Sequence, residues 1–147
     1  MKMTFYKYQG TGNDFVVIDN RNGFFPKDNH SMIAEICNRK YGIGADGLLL
    51  LENNSKVDFT MVYYNADGKL GSMCGNGGRC IVHFANFLNI INENIVFEAI
   101  DGLHEASINN AIISLKMNDV ASINVNTNSV FLNTGSPHHV EMVEDLK

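Results

Sequence analysis

Cys74 stands in the run Met73-Cys74-Gly75-Asn76-Gly77-Gly78-Arg79-Cys80, followed by glycines and directly ahead of the apolar stretch Ile81 to Leu88. At a helix start, unpaired N–H groups and the helix dipole favour a thiolate, and successive glycine N–H groups form a nest for an anion. A free thiol titrates at about 8.5, so it needs such help to act as a base at neutral pH. The competing reading is a turn with a buried cysteine. Cys80 falls outside the i+3 and i+4 spacing that brings helical side chains together, so Cys74 and Cys80 do not form a metal pair. Cys80 reads as core, as does Cys37 beside Ile33 and Ile36, and no metal site is expected.

The other polar candidates also have two readings. Gly75 to Gly78 lacks the Lys-Ser or Lys-Thr of a phosphate loop, and Gly10-Thr11-Gly12 lacks the third glycine and helix of a dinucleotide site. Asn13 and Asn65 border turns, where capping competes with a ligand contact. His138 follows Pro137, either as a solvated loop histidine or as an imidazole placed to tune a thiol.

Elements that could position these residues follow from periodicity. Lys2 to Tyr8 alternates as a strand, Gln9 to Asp14 reads as a turn-rich break, and Phe15 to Asp19 as a more buried strand. A helix is predicted from about Asn29 or Ser31 to Lys40, with Ile33, Ile36, Cys37 and Tyr41 on one face and Gly42 as its stop. The glycine-rich loop Gly42 to Gly47 leads into a strand over Leu48 to Leu51. Val57 to Tyr64 is a further strand closed by the turn Asn65-Ala66-Asp67-Gly68. The stretch to Leu88, apolar on most sides, suits a helix at the centre of a domain. Strands are predicted over Ile95 to Ala99, Leu103 to Ile108 and Ala111 to Met117, joined by turns at Asp101-Gly102 and Asn109-Asn110. The Asn- and Ser-rich stretch from Asn118 to Ser129 reads as a connector, and Val130 to Thr134 and His139 to Val143 as two strands without a covering helix. The expected organisation is one α+β domain over 1–117 and the first strands of an incomplete second domain over 118–147.

Bulk properties exclude several classes. At 147 residues, with 45% hydrophobic and 18% charged residues, the chain has the composition of an ordinary globular protein. A net charge of −5 with scattered Lys and Arg argues against a nucleic-acid partner. No apolar run approaches a membrane span, and Met1 to Tyr8 does not resemble a secretion signal. Three cysteines at no disulfide-framework spacing fit reduced thiols, so a cytoplasmic location is expected.

Four blocks together carry a resemblance: Gly10-Thr11-Gly12-Asn13-Asp14-Phe15-Val16-Val17, Gly42-Ile43-Gly44-Ala45-Asp46-Gly47, Asn65-Ala66-Asp67-Gly68 and Cys74-Gly75-Asn76-Gly77-Gly78-Arg79-Cys80. In this order and spacing they resemble diaminopimelate epimerase, and Asn133-Thr134-Gly135-Ser136-Pro137-His138 is similar to a fifth block of that family. The resemblance implies a bent, mostly antiparallel sheet around a central helix near Gly77 to Leu88. It implies an isomerase that interconverts LL- and meso-diaminopimelate, in lysine and peptidoglycan biosynthesis, without pyridoxal phosphate or any other cofactor. One cysteine thiolate removes the α-proton and a second cysteine delivers a proton to the opposite face. Carried over by motif, Cys74 is one base and His138 tunes the thiols. Asn13, Asn65, Gly75 and Asn76 bind the small-molecule amino acid.

Two positions depart from the family pattern. Ser136 stands where Asn usually precedes Pro-His, and Gly47 where some members carry a Gln that reaches the substrate. Members of the family are also longer, and neither Cys37 nor Cys80 lies in a second-cysteine motif, so the chain is expected to be half of a two-base machine, inactive alone. Alternatives are a proline- or hydroxyproline-type racemase of the same fold, from which Asn76 and Arg79 point away, and a non-catalytic binding domain. A homodimer in which two copies face each other through their Cys74 sites is a further arrangement, suggested by the exposed strands after Val130.

Overall fold

A computed structural model describes residues 2–110 and 112–145. Its first strands, β1 (Tyr6–Gly10) and β2 (Asn13–Asp19), form a hairpin. The hairpin turns through Thr11 and Gly12, with φ of 54° and 85°. Positive φ at both central residues matches the right-handed twist of the flanking strands, so pairing runs right up to the turn. The expected break at Gln9–Asp14 is therefore strand on both sides of a two-residue turn, and Asn13 begins β2. The first strand also starts later than its alternation suggested.

Helix α1 (His30–Cys37) begins with the Asn29 side chain accepting from the Met32 N–H. It ends three residues before the predicted Lys40. The Asn38 carboxamide accepts from the N–H groups of Lys40 and Tyr41, a local turn that competes with further helix. Tyr41 is consequently 91% exposed instead of continuing the apolar face. Then come β3 (Gly47–Glu52), β4 (Phe59–Asn65), α2 (Gly75–Phe87), β5 (Asn94–Ala99), β6 (Gly102–Asn109) and β7 (Ile112–Leu115). Ala111, where a strand was expected to begin, lies outside the described residues.

These strands form one seven-stranded sheet in chain order. Pairing is antiparallel except between β2 and β3 and between β4 and β5. Central β2 and β3 are buried on both faces, as near-continuous apolar strands require. Alternation sends Phe15, Val17, Leu49, Leu51, Phe59 and Met61 to a core shared with α2, and Val16, Ile18, Leu48, Leu50 and Tyr64 to a second core with Ile33 and Cys37 of α1. Both edge strands, β1 and β7, touch α2, so the sheet curls around that helix as a half-barrel. The α+β fold of a bent, mostly antiparallel sheet around a central helix is thus observed.

Beyond it, β8 (Ile123–Val125), β9 (Ser129–Asn133) and β10 (Pro137–Glu141) form a separate antiparallel sheet. β8 falls inside the expected connector, because pairing with β9 makes a strand of a segment whose own composition favours a loop. All five residues of β10 are exposed.

Candidate functional site

The site forms where β2 and β3 begin, β4 ends and α2 begins. Cys74 is the N-cap of α2: its backbone is extended, and the Gly77 N–H donates to Sγ at 3.4 Å. On its other side the thiol donates to Asn13 Oδ1 at 3.6 Å. The sulfur thus has a donor and an acceptor, so either protonation state keeps a partner. Among the described residues, the N–H groups of Gly75 and Asn76 at the start of α2 find no acceptor, the usual condition of a helix N-terminus.

Asn13 is oriented by its neighbours. Its Nδ2 donates to Asp46 Oδ2 at 2.8 Å, and a carboxylate only accepts, so the carboxamide oxygen faces Cys74. That oxygen also receives Asn76 Nδ2 at 3.5 Å. Asn76 Oδ1 in turn accepts from the Thr11 hydroxyl at 3.0 Å and from the Arg79 guanidinium. Behind Asn13, Arg39 donates to Asp14 at 2.7 Å and to Asp46 at 2.8 Å, and Lys7 pairs with Asp14 at 2.7 Å. The Arg39 and Lys7 side chains hold the Asp14 carboxyl well below the ordinary carboxylate range. The Asn13 carboxamide and the Asp14 N–H also lower the Asp46 carboxyl, with Arg39 adding to them.

The three glycines of the run differ in their roles. A Cβ at Gly78 would stand 2.7 Å from Leu115 Cδ2 and 3.0 Å from Met73 Cε, and one at Gly77 would stand 3.3 Å from both Leu49 Cδ2 and Met61 Cε. Those two glycines seat the first turn of α2 against the sheet. Gly75 meets nothing closer than Arg79 Nη1 at 3.6 Å, so packing does not demand a glycine there. Cys80 is 4% exposed, and burial pushes its thiol up to about 11, with the Cys74 charge adding to the effect. Burial likewise raises Cys37, so both cysteines are core as expected.

The structure therefore joins Asn13, Cys74, Gly75 and Asn76 in one cluster. Asn65 ends β4 opposite Gly47, on the face that alternation gives to Met61, and makes no side-chain hydrogen bond to that cluster. His138 on β10 is exposed, and its Nε2 meets the Thr134 hydroxyl at 2.9 Å and not Cys74. Its loop does reach the site: the Met73 N–H donates to the Gly135 carbonyl at 3.2 Å, and the Ser72 and Ser136 hydroxyls hydrogen-bond. Asp46, Arg39 and Thr11 were not singled out from sequence. Asp46 had a signal, since it sits in a glycine-rich loop, but its partner Asn13 is far away in sequence.

Among the described residues no group of three or more His, Cys, Asp or Glu is placed to hold a metal, and no helix is long and apolar enough to cross a membrane. The sequence model of the diaminopimelate epimerase family matches residues 5–122. A diaminopimelate epimerase of Flavobacterium psychrophilum is 61% identical over 98% of this chain and 57% of its own length. One of Chlorobaculum tepidum is 43% identical over 93% of this chain and 56% of its own length. The chain thus spans about half the length of the curated relatives it matches. The crystal structure of a probable proline racemase from Agrobacterium radiobacter superposes with a TM-score of 0.62 at 12% identity, covering 87% of this chain and 48% of that one, which is a likeness of fold.

Proposed function

This chain belongs to the diaminopimelate epimerase family, and we propose that it carries one of the two acid–base halves that interconvert LL- and meso-diaminopimelate. In this reading the Cys74 thiolate takes the α-proton: the C–H bond breaks, its electron pair stays on carbon, and an S–H bond forms. The reverse step returns the proton. The two partners of Sγ support both directions, and this is the observation that carries the reading. The carbanion delocalises into the substrate carboxylate. The N–H groups of Gly75 and Asn76 and the dipole of α2 are fixed donors aimed at that developing charge. Asn13 and Asn76 position the polar ends of the amino acid, with Asn65 at the rim. His138 acts on this set only through the Gly135–Ser136 loop. Inversion requires a second base on the opposite face of the carbon, which neither buried thiol of this chain supplies.

Iodoacetamide labelling at neutral pH, mapped by mass spectrometry, tests the reading. Cys74 is expected to react at least about tenfold faster than Cys37 or Cys80, whose burial disfavours the thiolate, and to be protected by diaminopimelate. A Cys74 that labels no faster than the buried thiols overturns the assignment. Deuteration of LL-diaminopimelate with inversion by this chain alone overturns the one-base reading.

A further inference from the structure

One large side chain on the Cys74 face is so far without a role. Tyr63 lies on β4, packed against the core that α2 covers, and Phe15 meets its ring edge-on with centroids 6.0 Å apart. Glycines on both sides leave room for that ring. A Cβ at Gly47 on neighbouring β3 would stand 2.5 Å from both Tyr63 Cε2 and the Tyr64 carbonyl oxygen, and 3.1 Å from the Tyr63 hydroxyl. Across β4, where the chain folds back and the Gly71 N–H donates to the Tyr63 carbonyl, a Cβ at Gly71 would stand 2.4 Å from Cδ1 and Cε1. Neither glycine has a positive φ, so backbone conformation does not call for glycine at either position. Gly71 leaves space that the ring fills, and Gly47 does so while also letting the Tyr64 carbonyl approach.

Tyr63 is half-buried, and its hydroxyl hydrogen-bonds to none of the described residues and is not shut away from the surface, so it is open to a ligand. Burial, with negative charge at Cys74 and Asp46 adding to it, pushes the phenol up to about 12, so it remains a donor at neutral pH. The N–H groups of Gly75 and Asn76 are donors on the same face of the sheet. Such a set suits a carboxylate better than an ammonium group.

We propose that Tyr63 is a substrate-binding residue whose hydroxyl donates a hydrogen bond to the carboxylate of the amino acid held against Cys74. The proposal rests on the reading of Cys74 as the base, and a pair of small alkylating probes separates the two. Iodoacetate carries its carboxylate on the carbon that the sulfur attacks, as an α-amino acid carries its own; iodoacetamide has the same shape without the charge. The readout is the ratio of the two labelling rates at Cys74. Tyr63→Phe keeps the ring and its packing, and is expected to lower the iodoacetate-to-iodoacetamide ratio about tenfold with the iodoacetamide rate unchanged. Gly71→Ala displaces the ring, and is expected to lower the ratio in the native background but not in Tyr63→Phe. An unchanged ratio in Tyr63→Phe at a fast-labelling Cys74 overturns the role of Tyr63 alone. Equal loss of both rates also overturns it, since the ring would then only shape the site. A Cys74 that iodoacetamide labels no faster than Cys80 overturns the reading of the base, and this proposal with it.

Discussion

Alanine substitution at the three glycines after Cys74 should give three different outcomes, because an added methyl meets different surroundings at each. Inside a helix, Gly→Ala is worth about 1 kcal/mol of stability, and less in the first turn. At Gly78 the methyl would meet Leu115 Cδ2 at 2.7 Å and Met73 Cε at 3.0 Å. Overpacking of that kind costs about 1–3 kcal/mol, so a net loss of about 1 kcal/mol is expected. At Gly77 both neighbours stand at 3.3 Å and are flexible side-chain ends, so the two effects nearly cancel. At Gly75 the contacts at 3.6 Å to Arg79 and 3.7 Å to Met117 are ordinary, and a gain of a few tenths of a kcal/mol is expected, about a third of the helix-interior value. Urea denaturation of the three variants, compared at a common m-value, reads the order directly. Gly75→Ala should combine that gain with weaker protection of Cys74 by diaminopimelate, the pattern of a residue kept for function against stability. A Gly75→Ala variant destabilised by more than about 1 kcal/mol, or a stabilised Gly78→Ala, would refute the packing argument.

Cys80 makes stability depend on alkaline pH. Its folded thiol is pushed up to about 11, so the folded state holds a proton that the unfolded chain releases from about pH 8.5. Stability is therefore full below that point and falls as pH rises towards 11, by about 3 kcal/mol, and urea midpoints of Cys80→Ala should be flatter between pH 8 and 10. Asp14 has the opposite sign, since Arg39 and Lys7 depress its folded-state value; the stability difference between the native chain and Arg39→Gln should be full above about pH 4 and shrink below it. A difference that stays constant into acid would remove the ion pair from the account. Gly135 has a φ of 96°, and a Cβ there would stand 2.4 Å from Asp101 Oδ2 and 3.0 Å from Met73 Cβ. Gly135→Ala should therefore speed amide exchange at Met73 and across β9 and β10, and leave α2 protected.

What was legible in the sequence is what local pattern determines. A thiol and glycines ahead of an apolar run placed the start of the central helix and singled out Cys74, and short apolar runs bounded by turn residues found the buried strands. Boundaries failed where one side chain or turn overrides the pattern. Thr11 adopts positive φ, which its residue type disfavours, and so closes a hairpin that composition read as a break. Asn38 stops α1 with its own carboxamide, which hydrophobic spacing cannot show. At the site, Asn13 looked like a turn residue because its partner Asp46 comes from another strand's loop. Tyr63 was invisible for a related reason. Its place depends on the β3–β4 register and on glycines in two other segments, and no window of sequence holds all three.

In the proposed reading, the same register confines this surface to one face of the reacting carbon. β2 and β3 run parallel and both begin at the site, and antiparallel β4 ends there, so Asn13, Gly47 and Asn65 lie at the same end of adjacent strands. Alternation puts all three on the face that α2 covers, and the N-terminus of α2 arrives at that face with Cys74 at its tip. Every donor and acceptor assigned to the substrate therefore approaches from one layer. A tetrahedral carbon loses its proton to one side, and inversion needs the new proton from the other, which a single layer cannot reach. The buried positions of Cys37 and Cys80 close off the alternative that one of them turns outward to do so. The small sheet of β8 to β10 is tied to this layer where Gly135 and Ser136 seat on Met73 and Ser72, immediately before the sulfur.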